Sequence, residues 1–325
     1  MFELIGPAIV IGVILDLLLG DPEKLYHPVV LMGRLISFSG SRFRSLFPAT
    51  EQGERRAGLC MVILVSTVCL AVPAALLTLA FAIHWIAGFA VMCWMCYRMI
   101  AAKSLRKESM NVYSALGNGT LDDGRQAVAR IVGRDTEALD ETGVVKAAVE
   151  TVAENFSDGV VAPVFYMLIG GPALMYLYKG VNTMDSMVGY KNETYRNFGS
   201  AAARFDDMAN WIPSRIAALL LIAAAGLTRM DMRGAARIWR RDRRNHASPN
   251  AAQTEAAAAG ALGVQLAGNA CYFGELYEKP TIGDPDRPIE REDIRRVNRL
   301  MYAGTAVMTA FFVLIHAAVW ALLLI

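Results

Sequence analysis

Long apolar runs alternate with polar segments along this chain. Residues 57–97 contain no Asp, Glu, Lys or Arg, and residues 302–325 contain none either. A membrane-spanning helix needs about 20 predominantly apolar residues, so the first run is long enough for a hairpin of two spanning helices and the second for one. The pattern predicts an all-α, multi-pass integral membrane protein with cytoplasmic helical segments.

Three further apolar stretches could also cross a membrane. We interpret residues 4–20 as a retained span, because no basic residues precede them and no small-x-small cleavage site follows. Residues 160–178 contain a Gly-Gly-Pro break and either span or re-enter, while residues 212–227 carry an arginine and either span or lie at the interface. We predict one membrane-embedded domain over residues 1–325 with about four to six spans, which lie near residues 4–20, 57–97, 160–178, 212–227 and 301–325.

Composition agrees with a membrane protein. Of the 325 residues, 55% are hydrophobic and 19% are charged, against about 45–50% and 25% in soluble domains. The net charge of +2 selects no class of partner. Cys93 and Cys96 form a Cys-x-x-Cys pattern, but no second pair of ligands completes a zinc site. We interpret these two cysteines as buried thiols.

The distribution of basic residues predicts the orientation. Residues 21–56 contain six Lys or Arg, whereas the tail before the first span contains none. Cytoplasmic loops carry an excess of basic residues, so we expect residues 21–56, 98–158 and 229–299 on the cytoplasmic side of the cell's inner membrane. Residues 229–244 contain seven Arg and two Asp, which is typical of a solvated helix beside anionic lipid. No recognition motif accompanies them, and we expect no nucleic-acid binding.

The first candidate group of functional side chains is acidic. Glu150, Glu154 and Asp158 are spaced at i, i+4 and i+8, so a helix would place them on one face. We interpret Glu150 as part of a solvated acidic face. Glu154, Asn155 and Asp158 lie where the chain enters apolar sequence, where carboxylates are costly unless they are paired or bound to a cation. Oxygen ligands of this kind suit Mg²⁺.

The second candidate group lies in the polar stretch of residues 179–215, which apolar sequence flanks on both sides. Asn182 and Asp185 are three residues apart, so a helix would align them, and Asp206-Asp207 lies between an arginine and an asparagine. This stretch is either a functional site or a polar contact between helices that satisfies its own hydrogen bonds.

Glu255 precedes an Ala- and Gly-rich helical sequence, AAAAGALGVQLAG. It is either a ligand or a first-turn acid that the helix dipole favours. The chain has no Gly-x4-Gly-Lys-Ser/Thr phosphate loop, no Gly-x-Ser-x-Gly elbow and no paired-His zinc motif. Local motifs therefore do not locate a nucleotide site.

Six longer segments carry a family resemblance. In chain order they are DLLLGDPEKLYHPVVLMGRLI, ETVAENFSDGVVAPVFYMLIGGP, VNTMDSMVGYKNETYRNFGSAAARFDDMANWIPSR, PNAAQTEAAAAGALGVQL, YFGELYEKPTIGD and EDIRRVNRLM. Together they resemble the CobD/CbiB family, the adenosylcobinamide-phosphate synthases of cobalamin biosynthesis. The similarity extends over nearly the whole chain in the family's order, and only residues 57–97 are generic.

The resemblance implies an ATP-dependent amide ligase. The family joins a propionate carboxylate of adenosylcobyric acid to the amine of 1-aminopropan-2-ol, or of its O-phosphate, and the product is adenosylcobinamide or its phosphate. ATP and Mg²⁺ are the expected cofactors, and the corrinoid, the amino alcohol and the lipid bilayer are the expected partners. Association with other cobalamin-biosynthesis enzymes stays open. The main alternative is a membrane transporter for a corrinoid or an amino alcohol, since transporters also contain buried polar residues and broken helices.

We expect the predicted site residues to form one cytosol-facing pocket. The residues assigned to metal binding or to deprotonation of the amine are Glu154, Asp158, Asp185, Asp206 and Asp207. Four of these five, all except Asp206, are proposed Mg²⁺ ligands. Three more catalytic candidates lie at the end of the first span, namely Asp16, Asp21 and His27, and a structural turn is the alternative for His27. The predicted substrate-binding residues are Asn155, Asn182, Tyr190, Lys191, Arg204, Asn210, Arg215 and Glu255, of which Lys191, Arg204 and Arg215 are assigned to phosphates.

Overall fold

Helices make up nearly all of the regular structure. The computed structural model describes residues 2–22, 25–190, 192–272 and 274–323. Its α-helices are α1 (Ile5–Leu19), α2 (Pro28–Leu46), α3 (Glu51–Ile83), α4 (Trp85–Tyr97), α5 (Ala102–Asn118), α6 (Leu121–Ala129), α7 (Glu141–Phe156), α8 (Ala162–Val188), α9 (Ser200–Ala209), α10 (Trp211–Leu227), α11 (Met232–Asp242), α12 (Ala251–Leu262) and α13 (Glu292–Leu323). A 3₁₀ turn at Phe2–Leu4 precedes α1. One turn of π-helix at Ser157–Val161, called the π-turn below, joins α7 to α8.

Four short strands lie between α12 and α13. They are β1 (Leu266–Ala267), β2 (Ala270–Tyr272), β3 (Glu275–Tyr277) and β4 (Thr281–Ile282). β1 pairs antiparallel with β4, and β2 pairs antiparallel with β3. The predicted all-α fold class is confirmed, because these strands are minor additions to a helical protein.

Five helical segments of the described residues are long and apolar enough to cross a membrane. They are Phe2–Leu19, Glu51–Ile83, Trp85–Asn118, Glu141–Val188 and Glu292–Leu322. α9 and α10, which follow each other along the chain, give a sixth if they are counted together. The chain is therefore a multi-pass membrane protein, as predicted. α5 and α7, from the segment at residues 98–158, are continuous with two of these long segments, and the cytoplasmic position of residues 98–158 stays a prediction.

The chain divides into two compact units, and the single membrane-embedded domain stays a prediction. The first comprises Met1–Ile100, Ala162–Asn210 and Phe311–Ile325, and the second comprises Ala101–Val161 and Trp211–Ala310.

In the first unit, α3 packs against α2, α4, α8 and α9. Glycine permits these close approaches: a Cβ atom at Gly58 would lie 1.9 Å from the carbonyl oxygen of Phe198. Leu59, Ile63 and Leu79 of α3 are exposed, as expected for a face in contact with lipid.

The second unit is built around α12. Every residue of this Ala-rich helix is buried, and it packs against α7, α10 and α11. A Cβ atom at Gly260 would lie 2.4 Å from the carbonyl oxygen of Gly234, so α11 and α12 approach each other almost backbone to backbone. The small side chains of α12 thus allow three helices to surround it.

Local signals define several helix ends. Thr120 forms the N-cap of α6, in a capping box with Asp123, and the helix ends at Ala129. Asp140 caps α7 by accepting a hydrogen bond from the backbone N–H of Gly143 at 2.7 Å. The predicted break in α8 is also present, because Gly170 and Gly171 leave helical geometry and Gly171 has φ +65°.

Candidate active site

Polar side chains of the second unit surround a cavity of about 170 Å³. We call it the carboxylate cavity. Its charged and titratable lining residues include Arg134, Glu150, Glu154, His246, Glu255 and Lys279. Helices supply its three carboxylates, whereas the cationic and imidazole groups come from loops between elements. Polar groups on the wall of a concave site can fix the orientation of a bound ligand.

Glu150 is an anchor of this cavity, contrary to the solvated face that we predicted. Its side chain is buried and pairs with the guanidinium of Arg134. Its Oε1 atom accepts the backbone N–H of Ala267 at 2.6 Å. Ala267 adopts φ +56°, a conformation that L-residues with a side chain rarely adopt. Glu150 therefore joins α7, the loop before α7 and the β1 strand at one point.

Glu154 and Asn155 lie one turn further along α7 and also line the cavity. Asn155 donates a hydrogen bond to the carbonyl oxygen of Thr151 at 3.0 Å. Asp158, the third member of the predicted acidic face, lies in the π-turn and is outside the lining of the cavity. The π-turn changes the helical register, so the predicted i, i+4, i+8 face does not continue to Asp158.

Glu255 is the most deeply buried carboxylate of the cavity. It lies in the second turn of α12 and is 4% exposed, so the first-turn interpretation is wrong. Its Oε2 atom has no hydrogen-bond partner among the described residues. Burial raises the pKa of the Glu255 carboxyl well above its ordinary value, and the nearby charges of Glu150 and Glu154 raise it further. A buried, unsatisfied oxygen at a cavity wall is available to a ligand.

His246 contributes a neutral imidazole. Burial lowers the pKa of this ring, and the charge of Lys279 lowers it further. The Nδ1 atom accepts the backbone N–H of Ser248 at 3.0 Å, so the neutral ring carries its proton on Nε2. His246 is thus suited to donate a hydrogen bond.

Lys279 brings a cationic group to the same wall. Its Nζ atom donates a hydrogen bond to the hydroxyl of Tyr272 at 2.7 Å and lies 4.4 Å from the centre of that ring. Tyr272 itself lines the cavity. The cavity therefore offers both signs of charge within a small volume.

A second cavity of about 560 Å³ also belongs to the second unit. We call it the arginine cavity. It is lined by Trp211, Arg215, Arg243, Arg244, His246 and Gln253, together with Ala247 and Pro249. No carboxylate is among these lining residues, whereas His246 lines both cavities. The predicted phosphate ligand Arg215 therefore lies with two arginines that we had placed on a solvated helix.

A buried hydrogen-bond network occupies the polar stretch of the first unit. Asp206 accepts two hydrogen bonds from the side-chain amide of Asn210, both at 3.1 Å, and one from Asn182 at 3.4 Å. The hydroxyl of Tyr178 donates to Asn210 at 2.8 Å, and Lys179 donates to Asn182 at 3.3 Å. α8 and α9 are thereby joined by polar contacts.

The candidates near the first span lie in the same unit. Asp16 is buried within α1. Asp21 contacts Nε2 of His27 at 3.2 Å and the buried guanidinium of Arg98 at 3.5 Å. His27 is the N-cap of α2, since its Nδ1 atom accepts the backbone N–H of Val29 at 3.2 Å. The ring thus has the structural role that we kept as an alternative.

The predicted site residues divide between the two units. Asp185 is half-buried on α8, Asp207 is half-buried on α9, Arg204 is exposed on α9 and Tyr190 follows α8. Lys191 lies outside the described residues. The first unit holds Asp16, Asp21, His27, Asn182, Asp185, Tyr190, Arg204, Asp206, Asp207 and Asn210, and the second holds Glu154, Asn155, Asp158, Arg215 and Glu255. The single pocket stays a prediction.

The predicted magnesium ligands follow the same division. Across residues 2–22, 25–190, 192–272 and 274–323, no three His, Cys, Asp or Glu side chains gather closely enough to hold a metal ion on their own. Mg²⁺ bound together with phosphates commonly uses only one or two protein carboxylates. The unsatisfied Oε2 atom of Glu255 and the neighbouring Glu154 fit that smaller requirement.

Comparison with known proteins decides the family. The family model described as "CobD/Cbib protein" matches residues 9–301. The chain belongs to the CobD/CbiB family. It is 46% identical over 303 residues to "Cobalamin biosynthesis protein CobD" of Geobacter metallireducens, covering 93% of this chain and 94% of the relative. It is 44% identical over 300 residues to "Cobalamin biosynthesis protein CbiB" of Salmonella typhi, covering 92% and 94%. The search of solved structures gave no significant match.

The CobD/CbiB match covers residues of the two cavities that sequence reasoning missed. Arg134 and His246 come from loops without a local motif, and Arg243 and Arg244 belong to a run that suggested only a solvated helix. Lys279 lies within the family-like segment YFGELYEKPTIGD. A weaker signal was present for His246, which lies between the arginine run and the PNAAQTEAAAAGALGVQL segment. Because His246 lies three residues before a family-like segment, it was a better candidate for a site residue than its position outside any motif indicated.

Proposed function

We propose that this CobD/CbiB protein is an ATP-dependent amide ligase of cobalamin biosynthesis, which joins adenosylcobyric acid to 1-aminopropan-2-ol or its O-phosphate. The observation that carries the proposal is the pair of cavities with His246 in common. One is lined by carboxylates that suit an amine, and the other by guanidinium groups that suit anionic reactants. Membership of a family whose members are named for cobalamin biosynthesis supports this choice of reaction, and the cavities offer chemical groups that suit it.

The carboxylate cavity fits the amino alcohol better than the corrinoid. Its volume of about 170 Å³ lies below the range of roughly 300–1,000 Å³ that is usual for larger ligands. An alkyl amine is protonated at neutral pH, as lysine is with a pKa of about 10.4. The negative charges of Glu150 and Glu154 favour this ammonium form and hold it in the cavity.

The amine must lose a proton before it can form an amide bond. Glu255 is the proposed acceptor, because its raised pKa makes the ionised carboxylate a stronger base than an exposed glutamate. His246 is the proposed hydrogen-bond donor through Nε2, and Lys279 provides a positive charge for the incoming carboxylate. Mg²⁺ would neutralise phosphate charge when it is bound with ATP, and Glu154 would be its candidate ligand in this cavity.

We also propose that both cavities open towards the cytoplasm, where ATP is available. The excess of basic residues in the segment at residues 229–299 supports this orientation. Arg240→Cys places a thiol on an exposed position of α11. We expect it to react with a membrane-impermeant maleimide in inverted vesicles and not in intact cells, and the reverse pattern would contradict the orientation.

The ligase activity is tested with protein purified in detergent. The reactants are adenosylcobyric acid, 1-aminopropan-2-ol O-phosphate, ATP and Mg²⁺, and mass spectrometry detects the amide. We expect Glu255→Gln to lower turnover by about 100-fold or more, while Glu275→Gln, at an exposed position of β3, leaves it unchanged. Folded protein that forms no amide but carries a corrinoid into sealed vesicles would favour the transporter instead.

A further inference from the structure

The arginine cavity concentrates positive charge that no carboxylate balances. Within the described part of the chain, Arg215, Arg243 and Arg244 have no Asp or Glu oxygen within 4.0 Å of their guanidinium nitrogens, as the described ion pairs all involve other basic residues. Like charges that face one cavity repel each other. An arrangement of this kind is stabilised when an anion occupies the cavity.

Two arginines of α11 show the contrast. Arg241 pairs with Asp242 and Asp284, both at 2.7 Å. Arg237 lies 3.6 Å from Asp284 and 3.9 Å from Asp286. Carboxylates are thus available near this helix, but they pair with arginines outside the cavity. The exposed Arg233 and Arg240 of α11 likewise have no described ion pair, but they lie outside the cavity, whereas the three lining arginines share one space.

Neutral groups hold two of the lining arginines in place. Arg215 donates from Nη1 to the carbonyl oxygen of Trp211 at 2.6 Å and to Oδ1 of Asn250 at 3.3 Å, and its guanidinium lies 4.4 Å from the centre of the Trp211 ring. The guanidinium of Arg243 lies 4.8 Å from the centre of the Trp239 ring. These contacts position the guanidinium groups of Arg215 and Arg243 without cancelling their charge.

We propose that the arginine cavity binds a phosphate-bearing anion of nucleotide size, with Arg215, Arg243 and Arg244 as its phosphate ligands. Guanidinium groups bind phosphate oxygens through paired, charge-assisted hydrogen bonds. The volume of about 560 Å³ lies within the usual range for small-molecule sites and far exceeds one phosphate ion. Trp211 is 55% exposed and presents an aromatic surface on which a nucleobase stacks.

The ligand has two sources with the same phosphate chemistry. A soluble nucleotide is one, and this identification alone rests on the proposed function, in which ATP is a reactant. The headgroup of an anionic lipid is the other, because Trp211 begins α10, part of the helix pair that could cross a membrane, and tryptophan is enriched at membrane interfaces. The existence of the site depends on neither source.

The test measures binding rather than turnover, so its failure is distinguishable from failure of the ligase proposal. Equilibrium dialysis of the full chain in detergent measures the Kd for tripolyphosphate and for adenylyl imidodiphosphate, a non-hydrolysable ATP analogue. The variants are Arg243→Gln and Arg244→Gln. Arg240→Gln is the matched control, since Arg240 lies on α11, is exposed and does not line the cavity. Melting temperatures establish that each variant is folded.

We expect each lining variant to weaken binding of both soluble probes by about tenfold or more, and the control to bind as the unmodified protein does. A second arm measures the binding of phosphatidylglycerol itself by the same proteins in nanodiscs with and without this lipid. Loss of lipid binding alone in the lining variants assigns the same phosphate site to a headgroup. Equal binding of every probe by lining variants and control overturns the proposal.

Discussion

The guanidinium of Arg134 pairs with the carboxylate of Glu150 inside the second unit, where the exposed fractions of the two side chains are 17% and 7%. Removal of one partner from a buried pair leaves an uncompensated charge and costs about 3–5 kcal/mol. We therefore expect Arg134→Gln to lower the free energy of unfolding by about that amount, measured by chemical denaturation in detergent.

The control for this change is an exposed ion pair of the same unit. Arg130 lies 3.3 Å from Glu108, and its side chain is 67% exposed. Exposed pairs contribute about 0–1 kcal/mol, so Arg130→Gln should change stability little. Equal losses for Arg130→Gln and Arg134→Gln would show that the Glu150 pair is not the buried anchor described here.

The raised pKa of Glu255 predicts how stability depends on pH. Between the ordinary glutamate pKa and the raised native pKa, the native state binds more protons than the unfolded state. The free energy of unfolding therefore falls as the pH rises through this interval. In the Glu255→Gln variant this side chain cannot ionise, so the decline should be absent. The free energy of unfolding of the variant, relative to that of the unmodified protein, should therefore increase as the pH rises.

Thermal unfolding in detergent from about pH 5 to pH 8 measures this difference. Glu275→Gln, whose side chain is exposed, should keep the pH profile of the unmodified protein. Parallel profiles for Glu255→Gln and the unmodified protein would mean that the native fold does not raise the pKa of Glu255.

The contact between α11 and α12 predicts an unusual response to alanine. Alanine stabilises a helix relative to glycine by about 1 kcal/mol, but a Cβ atom at Gly260 would lie 2.4 Å from the backbone oxygen of Gly234. We expect Gly260→Ala to lower the free energy of unfolding by about 1–3 kcal/mol, as overpacking does. Gly33→Ala is the control, because the nearest atom to its Cβ is the Met187 Sδ at 3.5 Å, and it should be neutral or stabilising.

Substitution within the Asp206 network tests whether Asp206 stabilises the fold, contributes to turnover or does both. Asp206→Asn replaces an acceptor with a donor opposite the amide of Asn210, which currently donates to both carboxylate oxygens. We expect the free energy of unfolding to fall by about 1–3 kcal/mol, while Arg204→Ala, at an exposed position, leaves it unchanged. The amide-forming assay, normalised to folded protein, then measures whether turnover also falls. Unchanged stability would contradict the buried network.

Local and periodic features of the molecule could be predicted from the sequence. Apolar runs identified the spans because lipid imposes length and composition on them directly. The N-cap at Thr120 and the break at Gly170 and Gly171 were also predictable, since both depend on neighbouring residues. The pairing of Glu150 with Arg134, which lies in a loop, was not predictable. A helical register gives the face on which a side chain lies, but it does not give the residue that packs against that face.

The candidate site was predictable only in part for the same reason. Glu154, Arg215 and Glu255 stand in apolar or Ala-rich sequence, where a charged group is conspicuous. His246 and Lys279 stand in polar loops, where they look ordinary until the fold brings them to the wall of the carboxylate cavity. Tertiary packing, rather than any local pattern, selects these two.

The imidazole of His246 belongs to the walls of both cavities. A molecule that holds this ring from one cavity also determines how the ring is positioned towards a ligand in the other cavity. Thermodynamic linkage makes such an effect reciprocal: if filling the arginine cavity tightens or weakens amine binding by some factor, the amine changes affinity in the arginine cavity by the same factor. Order of addition would then leave the final occupancy unchanged, and only the rate of reaching it would differ.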